Sequence, residues 1–143
     1  MTDAQLERIE PDPFLANAFL LRARGFADDA SLAGLGAEGR QVLLHGATIA
    51  PCDAVLAING FQVVGVEGGH VLRIEQAAAF LPGVDQALVD QLDDTRVSRN
   101  QVSYAAGFAE PGDLDAAADA VAALIRHVED ALRPHLPEWL VGE

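Results

Sequence analysis

Apolar residues recurring at steps of three and four dominate this chain. Between residues 114 and 132, Leu114, Ala118, Val121, Ile125, Val128 and Leu132 alternate steps of four and three. That spacing predicts one helix with a single core-facing seam. Asp113 is placed to cap its start, and Pro134 ends it. Near the N-terminus, Asp12-Pro13 offers a capping carboxylate followed by a proline suited to a first helical turn. Leu15, Ala18, Phe19, Arg22 and Phe26 follow at helical spacing, which predicts a helix from Pro13 to about Ala27. A connection bearing Gly34, Gly36 and Gly39 leads into a second helix, from about Glu38 to Ile58. Leu43, Leu44, Ala47, Ala54, Val55 and Ile58 supply its apolar face, and Asn59-Gly60 stops it. Pro51 lies inside this helix and is expected to kink it near residues 47–51.

The stretch from Phe61 to Gly69 is ambiguous. Phe61, Val63, Val64 and Val66 have the character of an extended segment, but no second strand is evident to pair with it, so it reads as a loop. A third helix is expected from about Gly69 to Leu81, ended by Pro82-Gly83. Asp85 caps a fourth, running to about Ala109, where Glu110-Pro111-Gly112 breaks the chain. Five helical segments joined by short Gly- or Pro-punctuated loops predict an all-α fold, an antiparallel up-and-down bundle of four to five helices. The chain reads as a single domain over residues 1–143. Its core is expected over about residues 13–133, with a short tail whose Trp139 and Leu140 are candidates to pack back onto the bundle.

Composition sharpens this outline. Half of the 143 residues are hydrophobic, enough for a real core, and the net charge is −13. So acidic a chain argues against broad binding to nucleic acid, which needs a basic face, but leaves room for a local phosphate site. All nine basic residues are Arg. A GC-rich coding composition accounts for that; the affinity of guanidinium for carboxylates and phosphates is the alternative cause. The single cysteine, Cys52, allows no disulfide within the chain and fits a reducing, cytoplasmic setting. In an apolar helix it reads as a small buried residue. The first ten residues are acidic and polar, unlike a signal peptide. The most apolar stretch, Val42 to Val64, is interrupted by His45, Pro51, Asp53 and Asn59, so no membrane span is expected.

Against this background one stretch stands out, Arg96-Val97-Ser98-Arg99-Asn100-Gln101-Val102-Ser103-Tyr104. Arg96, Arg99, Asn100 and Ser103 share one helix face. The apolar stripe of the fourth helix, Val84, Leu88 and Leu92, continues through Thr95 to Arg99, Val102 and Ala106. A second stripe, Val97, Tyr104 and Phe108, takes over further on. An arginine on a core register is costly unless paired. Either the stripe rotates away and Arg99 meets water, or Arg99 occupies a semi-buried polar site.

At these residues the chain resembles the HEPN domains, a family of compact helical domains, over about Pro13 to Arg133. The layout is similar: a first helix carrying Leu20-Leu21-Arg22-Ala23-Arg24, a second leading to Asn59-Gly60, and a loop ending in Gly69-His70. The most diagnostic element is Arg99-Asn100-Gln101-Val102-Ser103-Tyr104, with Arg96 one turn earlier. The resemblance implies a homodimer whose two motifs face one cleft. There Arg99 holds a phosphate of a nucleotide or RNA, with Asn100 orienting it and Arg96 and Ser103 assisting. It also implies a small nucleotidyltransferase as partner in a toxin–antitoxin-like module. Members with Arg and His are often metal-independent endoribonuclease toxins. This chain has Tyr104 where they have His. Histidine exchanges protons near neutral pH, whereas tyrosine, with a pKa near about 10, is a poor general base but can donate a hydrogen bond or stack on a base. Binding is therefore expected ahead of cleavage. In an ideal helix residues 99 and 104 differ by about 140° in direction and about 7.5 Å in rise, so gripping one group calls for a dimer cleft or a local distortion.

Other candidate chemistry is weaker. His45, His70, His127 and His135 raise a metal site, but only His45 and His127 offer themselves on two helices without a third ligand, so no metal or cofactor is expected. Glu129-Asp130 and Asp93-Asp94 read as solvated acidic faces. Gly65, Gly68 and Gly69 lack the residues of a phosphate loop. Three functional readings remain: a nucleotide- or RNA-phosphate-binding domain, an endoribonuclease using Arg99, Asn100 and Tyr104, and a non-catalytic protein-interaction bundle in which Arg96 and Arg99 pair with acids such as Asp93.

Overall fold

A computed structural model describes residues 3–32, 34–65, 69–93 and 111–136. The chain is an all-α bundle with one small two-stranded sheet. Helix α1, Pro13–Ala30, starts as its sequence dictates: Asp12 is extended, and its carboxylate accepts from the Leu15 N–H at 3.0 Å. It runs past Ala27 to Ala30, because Ala27 and Ala30 still pack on the core. Ser31 then closes it, its hydroxyl donating to the Asp28 carbonyl at 2.7 Å.

Helix α2, Ala37–Ile58, is the centre of the bundle and packs on α1, on helix α3 (Gly69–Ala79) and on helix α5 (Pro111–Leu132). Leu44, Ala47, Ala50, Cys52, Ala54, Val55, Leu56 and Ala57 are all buried. They cover more than one face, which is what a helix with neighbours on several sides requires. By length and composition α2 is apolar enough to cross a membrane, yet 61% of its most apolar window is buried inside the bundle. Most of its apolar surface is covered by α1, α3 and α5, while Val42 stays exposed. The helix continues through Pro51, which cannot donate to the Ala47 carbonyl one turn back. Nearby, the buried Thr48 hydroxyl donates to the Leu44 carbonyl at 2.9 Å. Asn59 ends α2, its side-chain amide donating to the Val55 carbonyl at 2.8 Å, and Gly60 takes a φ of +85° that glycine adopts freely.

The loop expected after Gly60 is instead strand β2, Phe61–Val64. Its partner is β1, Gln5–Arg8, antiparallel in the register Leu6 opposite Val63 and Arg8 opposite Phe61. The partner escapes a hydrophobic-pattern reading because Gln5, Glu7 and Arg8 are exposed and only Leu6 is half-buried. Main-chain bonds then carry the N-terminal segment onto the end of α2: the Ile9 N–H donates to the Gly60 carbonyl at 2.9 Å, and the Asp12 N–H to the Ala57 carbonyl at 3.0 Å.

Helix α3 stops at Ala79, two residues before the expected end, and Leu81 turns into the core. Residues 86–93 form the described part of α4, and the Asp85 carboxylate accepts from the Leu88 N–H at 2.9 Å. Leu92 is buried, and Val84 and Leu88 pack partly buried against the core, as their stripe predicts. Helix α5 begins at Pro111, not after an Asp113 cap: proline suits a first helical turn, where its missing N–H costs nothing. Its seam faces inward, with Leu114, Val121, Ile125, Val128 and Leu132 buried and Ala118 half-buried. Ala120 and Leu124 widen it. A short 3₁₀ turn, Arg133–His135, follows, and Leu136 returns to the core.

Candidate functional site

The residues that carry the sequence-based site, Arg96, Arg99, Asn100, Ser103 and Tyr104, lie outside the described residues, as do Asp94 and the tail residues Trp139 and Leu140. The described residues show what the rest of the chain does with its charge. Arg24 on α1 donates through Nε to Glu129 on α5 at 2.9 Å, and Arg40 on α2 reaches Asp115 on α5 at 2.8 Å. Arg133 meets Asp130 at 3.2 Å, both well exposed. The guanidinium groups of Arg8 and Arg22 sit 5.6 Å from the ring centres of Phe61 and Phe19. Glu129, read from sequence as part of a solvated face, is therefore a tie between α1 and α5. Its partner lies 105 residues away, so no local pattern announces it.

A second polar feature lies deeper. Asp53 on α2 accepts from Nε of Arg73 on α3 at 2.8 Å, and both side chains are largely buried, 17% and 23% exposed. Burial pushes the Asp53 carboxyl above its ordinary range, against the pull of Arg73 and of Arg22. The pair sits in a cavity of about 110 Å³ between α1, α2, α3 and β2. Leu15 and Phe19 from α1, Ala57 from α2, and Phe61 and Val63 from β2 form the apolar walls, with Gln62 at the edge. Gly69 makes room for the arginine: a β-carbon there would stand 2.7 Å from Nη1 of Arg73. Sequence reasoning saw Asp53 only as an interruption of an apolar run. The usable signal was that a carboxylate in such a run needs a partner.

The histidines fall into different places. His45 on α2 and His70 at the start of α3 stack, with ring centres 4.7 Å apart and planes at 15°. His127 lies against Gly83, where a β-carbon would come within 2.7 Å of its ring, and His135 sits exposed in the 3₁₀ turn. Among the described residues no three His, Cys, Asp or Glu side chains gather as a metal-binding group. Cys52 is fully buried beside Asp53, and burial drives its thiol far above its ordinary pKa, so it is held as an inert thiol in the core.

Comparison with known protein families, with curated proteins and with solved structures returns no match for this chain.

Proposed function

We propose that this domain binds the phosphate of a nucleotide or RNA through Arg99 and Asn100, assisted by Arg96 and Ser103, in the manner of the HEPN domains it resembles. The reading rests on one observation in the sequence: an arginine pair with an adjacent amide, spaced as residues of one helix face would be, in a chain of net charge −13. Two features of the structure support it. The fold is an all-α bundle, the class to which such domains belong. Of the other arginines with described partners, Arg24, Arg40 and Arg73 pair with carboxylates across helices, Arg133 pairs locally with Asp130, and Arg8 and Arg22 lie over aromatic rings. The sequence register of Val84, Leu88 and Leu92, whose side chains face the core, leads through Thr95 to Arg99. A guanidinium on such a register calls for an anion.

In this reading the domain is a homodimer whose two motifs share a cleft, and its cellular partner is a small nucleotidyltransferase. Arg99 supplies a fixed fork of donors that matches a phosphate. Asn100 orients that fork, and Tyr104 stacks on a base or donates a hydrogen bond. Tyrosine at that position favours binding over ribonuclease chemistry, which needs a group that exchanges protons near neutral pH.

The test is purified protein on labelled RNA and on nucleotides, with Arg99→Ala as control. Binding without cleavage, lost in the variant, is the expected result. Cleavage lost in the variant assigns the endoribonuclease reading instead. The absence of both in folded, dimeric wild-type protein overturns the proposal and leaves a protein-interaction bundle.

A further inference from the structure

We propose that Asn59 is a modification site: attack by the Gly60 nitrogen converts its side-chain amide to an acid, and the conversion releases the N-terminal strand from the bundle. The inference does not rest on the residues around Arg99.

Of the three asparagines only Asn59 is followed by a glycine; Asn17 precedes Ala18 and Asn100 precedes Gln101. Glycine has no β-carbon to shield its nitrogen or to resist the backbone angles of a small ring. The Gly60 nitrogen bonds to Cγ of Asn59, its proton leaves with the side-chain nitrogen as ammonia, and a cyclic imide forms. Water then opens the ring at either carbonyl. One product is aspartate. The other is β-linked isoaspartate, whose main chain runs through the side-chain carbon. No oxidant, reductant or cofactor enters. Asn59 is exposed, so solvent water and base reach it.

The folded chain holds the reacting groups apart. Asn59 has a ψ of 2°, which eclipses the Gly60 nitrogen with the Asn59 main-chain nitrogen. The Gly60 nitrogen must swing by about a third of a turn about the Cα–C bond to come alongside Cβ. The side-chain amide is held at the helix end, donating to the Val55 carbonyl at 2.8 Å. The Gly60 N–H donates to the Ala57 carbonyl at 3.2 Å. The reaction therefore waits until the last turn of α2 opens. That turn also moors the N-terminal segment. The Ala57 carbonyl accepts the Asp12 N–H at 3.0 Å as well, and the Gly60 carbonyl accepts the Ile9 N–H at 2.9 Å. The bonds that attach residues 9–12 thus meet the bonds that protect Asn59 at one turn.

Conversion works against that turn. A carboxylate at position 59 accepts hydrogen bonds but cannot donate to the Val55 carbonyl. Its charge stands among the last carbonyls of α2, at the negative end of the helix dipole. The isoaspartyl form also lengthens the main chain between α2 and β2, so Phe61–Val64 no longer meets Gln5–Arg8 in its native register. Each product loosens the turn that holds the strand, and refolding does not reverse the change.

The test follows the full chain in mildly alkaline buffer, folded and in urea, by peptide mapping and mass spectrometry. The unfolded chain is expected to convert Asn59 about tenfold or more faster than the folded chain. Ile9→Pro removes the N–H that binds the Gly60 carbonyl without touching the reacting groups, and is expected to speed conversion in the folded protein several-fold. Asn59→Asp stands for the simpler product. It is expected to quicken amide exchange at Ile9 and Asp12 while the amides of α5 keep their protection. Three results overturn the inference: equal conversion rates in folded and unfolded chain, no acceleration in folded Ile9→Pro, or unchanged exchange at Ile9 and Asp12 in Asn59→Asp. If Ile9→Pro fails to fold, the other two comparisons still decide.

Discussion

Replacing Gly60 with alanine is expected to loosen the N-terminal segment from the bundle, and the structure gives the size of the effect. Gly60 has a φ of +85°, a region that costs an L-residue about 1–2 kcal/mol. An added β-carbon would also stand 3.0 Å from the Ile9 carbonyl oxygen and 3.3 Å from Cγ of Pro11. Main chain and a proline ring yield poorly, so residues 9–11 must move away. That movement strains the bond from the Ile9 N–H to the Gly60 carbonyl, worth about 1 kcal/mol net. The sum is about 2–3 kcal/mol, and for a domain of this size it lowers Tm by about 8–12 °C. Thermal melting of Gly60→Ala beside wild type measures it. Gly60→Asn is the control: asparagine tolerates positive φ better than alanine, so it keeps the collision but loses less to the backbone. Amide exchange of Leu6 and Arg8 should quicken in both variants. A Gly60→Ala protein melting within about 2 °C of wild type, with β1 protected as before, would refute this account of the turn.

Three further outcomes are expected. Leu124→Ala, at a buried position of the α5 seam, destabilises by about 2–5 kcal/mol in urea unfolding, since the site loses both transfer energy and packing. Asp12→Ala removes the α1 cap and costs about 1 kcal/mol by the same assay, whereas Asp12→Asn recovers most of it. Asp53 carries a pH signature: its pKa is raised in the folded state, so the folded chain binds this proton more tightly than the unfolded chain, where the value is near 3.8. The penalty for its buried charge is full above the raised value and fades as pH falls toward 3.8, so wild type gains on Asp53→Asn as pH is lowered through that window in paired unfolding curves. A stability difference that stays flat with pH there contradicts the raised pKa.

The helices were legible because each carries a local signal. The α5 seam repeats six times, and the Asp12-Pro13 start of α1 is written in adjacent residues. Helix α2 was legible as a helix, while its central place follows from burial on several sides, which periodicity reads poorly. Strand β1 was not legible: it has four residues, mostly exposed, and exists because β2 lies beside it. The Asp53–Arg73 pair depends on how α3 packs on α2, and Gly69, which makes space for the guanidinium, looks from sequence like any loop glycine. The chemistry around Arg99 was the plainest signal in the chain, and it falls outside the described residues.

The two-stranded sheet also orders events in time. Its side-chain bond from Gln62 to Glu7 joins residues 55 apart, and most of the intervening chain is α1 and α2. Closing so long a loop by chance is entropically expensive, but a formed α1–α2 hairpin brings the ends together beforehand. The N-terminal strand is therefore a late arrival. On the ribosome, at about 5–20 residues per second, Gln5–Arg8 waits several seconds for its partner to be made. A fusion at the N-terminus lengthens the segment that must find its place, so it should slow this last step, leaving the earlier collapse of α1 on α2 unaffected.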